Sequence, residues 1–501
     1  MATKSTGRGR FAPRIVGTGL LALSAALAAF GTVAWLAGHG GVGFLSTAAV
    51  AAPVGVLLWR LGSAHGEPSR REALLSVLLL WLVIPVVGAW PYVADGGMNL
   101  ADALFESMSG FTATGATALS DFGDFGPELF LWRAFSQWVG GIGIIVLFIA
   151  VFPQLAIAGR QLFFAETPGP TEHRLTPRLR NTASAVMVVY AGLTAAAILA
   201  YLATGLGPYD ALAHAMTTLA AAGFSPEARS FEGFGAGPQW VAIVFMTLAG
   251  SSFALQARAF GGRPRTLLND AEFRTYLAIA LTAGLALAWL IRGETAGGLE
   301  AVRHGLFQSL SILTTTGYAS TDYATWSSAA QAVLVLLMFV GGSAGSAAGG
   351  IKVVRLMIAG KNTAREVRRA LHPRAILPLR VGARTVPDEV LRAVAAFMTL
   401  YVALFITIAA VLALQGLDFT TAFTAAIATL GNVGPGLGMV GPMASYGDLP
   451  TTSKVLLTFA MYAGRLEVVA VFVVFTPDWW KVPRGVRSRL WSWAFGRRAG
   501  G

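Results

Sequence analysis

The chain has 501 residues, of which 55% are hydrophobic and only 12% are charged, about half the charged share of a soluble protein. It contains no cysteine, which excludes disulfides, thiolate metal sites and cysteine nucleophiles. The net charge of +12 is explained without nucleic acid, because Lys and Arg cluster in alternate loops, as expected of a membrane protein with basic cytoplasmic loops.

Apolar stretches of about 20 residues recur along the chain and predict a polytopic, all-α membrane protein. The first of them follows a basic start and is longer than a signal-peptide core, so we expect it to be retained. The alternation of basic loops places both termini in the cytoplasm. In chain order, the predicted spanning helices cover residues 15–37, 42–62, 73–93, 127–152, 182–204, 238–260, 274–292, 329–358, 389–414 and 452–475.

Four hydrophobic segments between these helices are too short to span a membrane, at residues 99–110, 208–220, 301–314 and 419–429. The last eight predicted helices therefore form four helix–half-helix–loop–helix repeats, and four copies of one unit predict pseudo-fourfold packing. The predicted division of the chain is a cytoplasmic N-terminus with two extra helices at 1–68, repeats at 69–160, 161–262, 263–372 and 373–481, and a cytoplasmic tail at 482–501.

Each short segment ends in a turn of small residues centred on a glycine, and these glycines recur about every hundred residues, at Gly115, Gly223, Gly317 and Gly434. Glycine allows backbone conformations that turn carbonyls inward, and rings of carbonyls replace the hydration shell of an alkali cation. The C-terminal ends of the half-helices also favour a cation. A packing role would suffice for one glycine, but four equivalent turns predict a cation pore around one axis.

The predicted last helix of the third repeat contains five glycines in ten residues: Gly341, Gly342, Gly345, Gly349 and Gly350. Glycine costs about 1 kcal/mol per helix position relative to alanine, so we expect this helix to be broken or loosened. One interpretation is close helix packing through small residues. The other is a flexible loop that obstructs the pore below the turns. Lys352 follows the run. It is either part of this obstruction or one of the basic residues that are common on the cytoplasmic side of a membrane protein.

Arg465 lies within the last predicted span, where a charge costs roughly 2.5–3.5 kcal/mol and must face protein or water. It belongs either to a buried structural ion pair or to the pore wall, where a fixed positive charge raises the energy of a passing cation. Glu467 projects from another side of an ideal helix, so we expect it to pair with a different helix. Glu106 and Asp322 flank two of the glycine turns and either orient them or lie on ordinary surface.

The chain resembles the TrkH/KtrB/HKT superfamily of potassium transporters, and its TrkH branch in particular, over about residues 70–480. Its two helices before the repeats are similar to TrkH rather than to the shorter KtrB. The resemblance rests on SGFTATGAT at 109–117, SILTTTGYASTDY at 311–323 and ATLGNVGPGLG at 428–438, with further support from QWVGGIGIIVL at 137–147, GGIKVVR at 349–355 and GRLE at 464–467.

The resemblance implies potassium uptake across a bacterial inner membrane, by electrodiffusion through a carbonyl-lined selectivity filter. It also implies a homodimer with one pore in each subunit, and a cytosolic ring of RCK-type regulatory subunits, similar to TrkA, that bind NAD(H) or ATP/ADP. Potassium is then the transported ligand, and this chain carries no organic cofactor. The implied filter main chain comprises Ala113, Thr114, Gly115, Ala221, Ala222, Gly223, Thr315, Thr316, Gly317, Asn432, Val433 and Gly434.

The resemblance further implies that the 341–350 segment is an intramembrane gating loop and that Arg465 is the pore-wall cation. Serine at the first filter glycine accompanies sodium transport in plant relatives, so Gly115 favours potassium. The alternative within the superfamily is a sodium- or ammonium-permeable channel. An intramembrane enzyme would need clustered His, Asp, Glu or Ser at one depth. Only Arg465 and Glu467 lie deep in a predicted span and no Walker or dinucleotide motif occurs, so we expect no enzyme.

Overall fold

The computed structural model describes residues 11–63, 69–123, 125–150, 176–382 and 384–480. The predicted tail at 482–501, the segment before residue 11 and the predicted boundary at 160–161 lie outside these residues. Within them the chain is helical almost throughout. Turns and loops connect the helices, and two-residue strands form one antiparallel pair, β1 (Arg380–Val381) and β2 (Arg384–Thr385).

The described helices differ widely in length, and short ones alternate with long ones along the chain. In chain order they are α1 (Phe11–Leu36), α2 (Val42–Leu61), α3 (Arg70–Gly88), α4 (Trp90–Ala94), α5 (Leu100–Phe111), α6 (Pro127–Ala150), α7 (Thr176–Ala203), α8 (Pro208–Leu219), α9 (Ala236–Ala249), α10 (Phe253–Phe260), α11 (Arg265–Asn269), α12 (Ala271–Ile291), α13 (Gly298–Leu313), α14 (Ser328–Met338), α15 (Val353–Leu371), α16 (Asp388–Leu414), α17 (Phe419–Leu430), α18 (Thr451–Arg465), α19 (Val468–Val473) and α20 (Pro477–Trp480).

Seven described helices are long and apolar enough to cross a membrane, or eight spans if the bent pair α9 and α10 is counted as one. The seven are α1, α2, α3 continued by α4, α6, α7, α12 and α16. The chain is therefore an all-helical, multi-pass membrane protein, as its composition predicts. Hydropathy alone overestimates the number of uninterrupted spans, because it counts apolar residues and does not register where the helix breaks.

Two predicted spans, at 238–260 and 452–475, are wrong as continuous helices, and the one at 329–358 is broken as its glycine run predicts. The span at 238–260 bends by 100° between α9 and α10. The span at 329–358 ends with α14 and resumes only at α15, and the span at 452–475 is interrupted between α18 and α19. Glycines at the first two breaks lower the cost of leaving the helix. At the third break Glu467 takes a left-handed φ of 69°, and the contacts of its carboxylate are described below.

The four predicted half-helices are confirmed as α5, α8, α13 and α17. They have 12, 12, 16 and 12 residues, so each is about 18–24 Å long and too short for a hydrocarbon core of about 30 Å. Polar N-caps define two of their starts: Asn99 accepts a hydrogen bond from Asp102 N and Asp418 accepts one from Thr421 N. Each half-helix ends at a glycine turn.

The first two helices, α1 and α2, pack against α6 through aromatic side chains. The fully buried Trp132 of α6 lies between Phe30 of α1 and Phe44 of α2, with ring centroids 5.4 Å and 5.7 Å apart. A larger hydrophobic core contains residues of all four half-helices, including Phe105 of α5 and Leu219 of α8. This core surrounds the ends of the half-helices, so the glycine turns lie inside the protein.

Candidate functional site

The four glycine turns share one backbone conformation. The residue two before each glycine is left-handed, at Ala113, Ala221, Thr315 and Asn432, with φ of 51°, 52°, 57° and 54°. The glycines follow with φ of 84°, 76°, 79° and 101°. In each turn the N–H before the glycine donates to a carbonyl five residues back, as Thr114 N does to Ser109 O at 2.9 Å. These bonds form the Schellman motif that commonly ends helices.

The four turns contact one another in a closed ring. A Cβ added to Gly115 would overlap the carbonyl oxygen of Ala222, one added to Gly223 would overlap that of Thr316, and one added to Gly317 would overlap that of Val433. The ring closes because a Cβ on Gly434 would lie 2.7 Å from the carbonyl oxygen of Thr114. Each glycine therefore lies against the residue before the next glycine, and only glycine fits at these positions. The sequence-predicted turn residues of all four repeats meet here.

Side chains bind the turns to one another. Asn432 Nδ2 donates to Thr114 Oγ1 at 2.9 Å and to Met461 O at 3.0 Å, which links the fourth turn to the first. In the second turn, Gln137 Nε2 donates to Ala222 O at 2.7 Å, and Gln137 Oε1 accepts from Phe224 N at 3.0 Å. All of these groups are buried. The sequence interpretation used the segment around Gln137 only as a motif and missed its contact with the second turn.

Each half-helix also fixes the chain that follows its glycine. Glu106 Oε2 accepts from Ala118 N at 2.8 Å, Gln308 Oε1 from Ser320 N at 3.0 Å, and Thr424 Oγ1 from Leu437 N at 2.9 Å. In every case the donor lies three residues after the glycine. The half-helix α8 contacts a side chain and not a backbone N–H, since His214 Nε2 lies 3.1 Å from Ser225 Oγ. These polar residues differ in type, and Thr424 lies ten residues before its glycine whereas Glu106, His214 and Gln308 lie nine before theirs. Both differences hide the arrangement in the sequence.

A buried ion pair joins the first two turns. Arg133 Nε donates to Glu106 Oε1 at 2.7 Å, and both side chains are at most 2% exposed. Arg133 Nη1 also donates to Ser225 O at 3.1 Å, and its guanidinium lies 4.0 Å from the ring centroid of Phe224. Glu106 therefore orients the turn and does not lie on ordinary surface. Arg133 was missed, although an arginine inside a predicted span is itself a signal of function or pairing.

Asp322, the other acidic residue predicted to flank a turn, has a local structural role. Its Oδ1 accepts from Ala324 N at 3.0 Å and so caps a single turn of 3-10 helix at Tyr323–Thr325. Residues that follow the glycines line a cavity of about 340 Å³ beside the ring, among them Thr117, Ser225 and Tyr446. Gly115, Gly223 and Gly317 form part of its wall, so the ring opens into this cavity.

The glycine-rich segment packs against the other side of the turns as a non-helical loop. Gly349 N donates to Thr315 Oγ1 at 2.6 Å, and a Cβ on Gly349 would overlap the carbonyl of Gly431. The predicted helix break is confirmed: Gly341, Gly345 and Gly350 have φ of 79°, 76° and 72°. Gly342 has little room for a side chain, since an added Cβ would lie 2.7 Å from Ala348 Cβ. The loop also contacts the bend between α9 and α10, where Ser343 N donates to Gly250 O at 2.8 Å.

Arg465 reaches across the region beneath the ring. Its Nη1 donates to Ala347 O in the loop at 2.8 Å, and its Nη2 donates to Gly140 O in α6 at 3.3 Å. The prediction that Glu467 pairs with a different helix is confirmed, because Glu467 Oε2 lies 2.7 Å from Arg355 Nη2 of α15. Within the described residues no carboxylate lies within 4.0 Å of Arg465, so the structural ion-pair interpretation is wrong there. The buried Lys352, with a φ of 80°, donates from Nζ to Ala348 O.

An all-helical multi-pass chain whose four half-helices close a ring of glycine turns has the architecture of a membrane transport protein. The profile of the TrkH family, described as a cation transport protein, matches residues 40–289 and 295–481. The chain belongs to this TrkH family of cation transport proteins, which is a transporter family and not an enzyme family.

Similar proteins match nearly the whole chain. The Trk system potassium uptake protein TrkH of Vibrio parahaemolyticus is 36% identical over 479 residues, which are 93% of this chain and 98% of that protein. TrkH of Escherichia coli K12 is 34% identical with the same coverage, and TrkH of Halomonas elongata is 39% identical over 83% of this chain and 88% of its own. The crystal structure of the potassium transporter TrkH from Vibrio parahaemolyticus matches with a TM-score of 0.85 at 33% identity, covering 94% of this chain and 99% of that one.

Proposed function

We propose that this chain is the membrane subunit of a Trk-type system and takes up potassium through a selectivity filter formed by the ring of glycine turns. The closed ring of four glycine–carbonyl contacts is the observation that carries this proposal. It gathers main-chain oxygens from four repeats at one place inside the protein, and rings of carbonyls are a known means of replacing the hydration shell of potassium. The relatives that match the chain are named as potassium uptake proteins.

The filter oxygens in this proposal come from the main chain of the three residues that end at each glycine: 113–115, 221–223, 315–317 and 432–434. Ala222 O already accepts a bond from Gln137, but a carbonyl oxygen has two lone pairs and can face an ion as well. The half-helices that precede these residues direct the negative ends of their dipoles to the same place, which favours a cation.

The gate in this proposal is the glycine-rich loop together with Lys352 and Arg465. The loop donates a hydrogen bond to the third turn from Gly349 and accepts one from Arg465 at Ala347, so it lies across the region directly beneath the ring. A cation leaving the ring on this side meets the loop and a buried guanidinium. Movement of the loop would open the path, whereas the positive charge would limit the number of cations beneath the filter.

The remaining parts of the proposal concern partners and location. We propose a homodimer in a bacterial inner membrane with both termini in the cytoplasm, regulated by a cytosolic RCK-type subunit that binds NAD(H) or ATP/ADP. The basic helix α15 supports a cytosolic contact. It exposes arginines such as Arg369 next to the apolar side chains Val367 and Leu371, which are 62% and 75% exposed, and such mixed surfaces favour protein partners.

The test is ion flux into liposomes that contain the purified chain, measured separately for K+, Rb+, Na+ and NH4+. We expect K+ and Rb+ to enter faster than Na+, and removal of residues 343–348 to raise basal flux without a cytosolic partner. Faster Na+ or NH4+ entry would favour the alternative of a sodium- or ammonium-permeable member of the family. No flux of any cation through correctly folded protein, with or without the loop, would refute the proposed pore.

A further inference from the structure

A buried acidic side chain outside the ring bonds both to the glycine-rich loop and to the helix that follows it. Glu272 lies in the first turn of α12 and is only 5% exposed. Its Oε1 accepts hydrogen bonds from Ala344 N at 2.7 Å and from Val354 N at 3.3 Å. Ala344 lies in the first part of the loop, and Val354 lies just after it, so one oxygen atom joins two points ten residues apart.

The bond to Val354 also caps a helix. Val354 is the second residue of α15, whose N-cap residue Lys352 makes no side-chain cap hydrogen bond. The first N–H groups of a helix have no intrahelical acceptor, and the positive end of the helix dipole favours a carboxylate. Glu272 therefore supplies from another helix the acceptor that the sequence around Lys352 does not supply.

Arg465 and Lys352 each donate from the side chain to a loop carbonyl, and backbone groups make further bonds. Ser343 N donates to Gly250 O, Lys352 N to Val340 O and Val353 N to Gly342 O. Glu272 differs from these groups because one side-chain oxygen accepts hydrogen bonds both from the loop, at Ala344 N, and from the start of α15, at Val354 N. Replacement of this one side chain therefore removes both bonds between the loop, α15 and α12 together.

We propose that Glu272 is the positioning residue of the gate, which keeps the loop beneath the ring by tying Ala344 to the start of α15. This inference rests on the proposed function, in which the loop obstructs the ion path. A displacement of the basic helix α15 would break the longer bond to Val354 and weaken the hold on Ala344. Glu272 would then transmit a force on the surface of α15 to the loop. Its contact in the loop, Ala344, lies 72 residues after Glu272 in the sequence.

The absence of cysteine allows a direct test of loop position. Ser343→Cys introduces a single thiol in the loop at a residue that is 2% exposed, and its reaction with a charged maleimide is followed in full-length protein. We expect the reaction to be slow with Glu272 present and at least about tenfold faster in Glu272→Ala. Glu272→Gln should be intermediate, because its amide oxygen can still accept from the backbone N–H groups whereas its amide nitrogen can only donate.

The matched control is Asp270→Asn, two residues earlier in the chain. Asp270 caps α12 through Phe273 N at 2.9 Å, and asparagine is an equally good cap, so the reaction rate should not change. Equal rates in folded Glu272, Glu272→Gln and Glu272→Ala proteins would overturn the inference. If Glu272→Ala fails to fold, the comparison of Glu272→Gln with Asp270→Asn decides the question in the same way.

Ion flux separates this inference from the proposed function. We expect Glu272→Ala without the added cysteine to raise basal potassium flux towards the value of the 343–348 deletion. A deletion that raises flux while Glu272→Ala leaves it unchanged would overturn the role of Glu272 and leave the gate in place. A deletion that leaves flux unchanged would instead refute the loop as an obstruction, whereas a faster thiol reaction in Glu272→Ala would still support Glu272 as the residue that positions the loop.

Discussion

Replacement of Gly223 by alanine perturbs the ring at one contact. Gly223 has a φ of 76°, and an added Cβ would overlap the carbonyl oxygen of Thr316. The left-handed conformation costs an L residue about 1–2 kcal/mol, and overpacking of a tight interior typically costs a further 1–3 kcal/mol. We therefore expect a loss of about 2–5 kcal/mol, relieved in part by movement of Thr316 O away from its place in the ring.

The assay is the ratio of K+ to Na+ flux in liposomes, combined with thermal unfolding of the purified protein. We expect Gly223→Ala to lower the flux ratio at least tenfold, which corresponds to about 1.4 kcal/mol of discrimination. Gly434→Ala should have a smaller effect, because the nearest atom to its added Cβ, Thr114 O, lies at 2.7 Å and the other three glycines are tighter.

Gly205→Ala provides the control. Gly205 has a φ of 95°, but an added Cβ would meet no atom within 4 Å, so this variant has the conformational cost of about 1–2 kcal/mol without the collision. It should lose some stability and keep its selectivity. An unchanged flux ratio in folded Gly223→Ala, or an equal loss in Gly205→Ala, would refute the assignment of Gly223 to the filter.

Two further substitutions test the charges around the ring. Arg465→Ala should raise potassium flux per folded protein about tenfold if it removes about 1.4 kcal/mol of barrier. The substitution leaves no buried carboxylate unpaired, because Glu467 pairs with Arg355. Lower flux together with a lower melting temperature would contradict this expectation. Arg133→Ala should destabilise the protein by about 3–5 kcal/mol, because Glu106 would remain buried without its cation. Thermal unfolding should show that adding Glu106→Gln recovers part of this loss, and a purely additive double variant would argue against the pair.

The half-helices could be predicted from the sequence because length and composition define them. A short apolar segment followed by a glycine turn leaves few alternatives, and the predicted 419–429 segment agrees with α17 (Phe419–Leu430) to within one residue. The glycine run at 341–350 likewise indicated a broken helix. These features depend on local backbone cost, which a sequence displays directly.

The remaining features depend on contacts between distant residues. The break after Arg465 is accompanied by its bond to Ala347, 118 residues away, and by the pairing of Glu467 with Arg355. Polar residues of different types, Glu106 and Gln308 among them, make equivalent bonds in different repeats. A search for identical residues at equivalent positions therefore misses them, and so the sequence interpretation recognised the turns without the side chains that hold them.

The contact that closes the ring has a consequence for how the protein is made. Asn432 donates to Thr114 across 318 residues, and Tyr446 N donates to Thr117 O in the same region. During synthesis the first three turns can meet in order as each repeat emerges, but they form only an open arc until the fourth repeat is inserted. A chain that ends before the fourth turn would leave Thr114 without its hydrogen bond from Asn432. The first turn is thus completed only when the fourth turn is inserted.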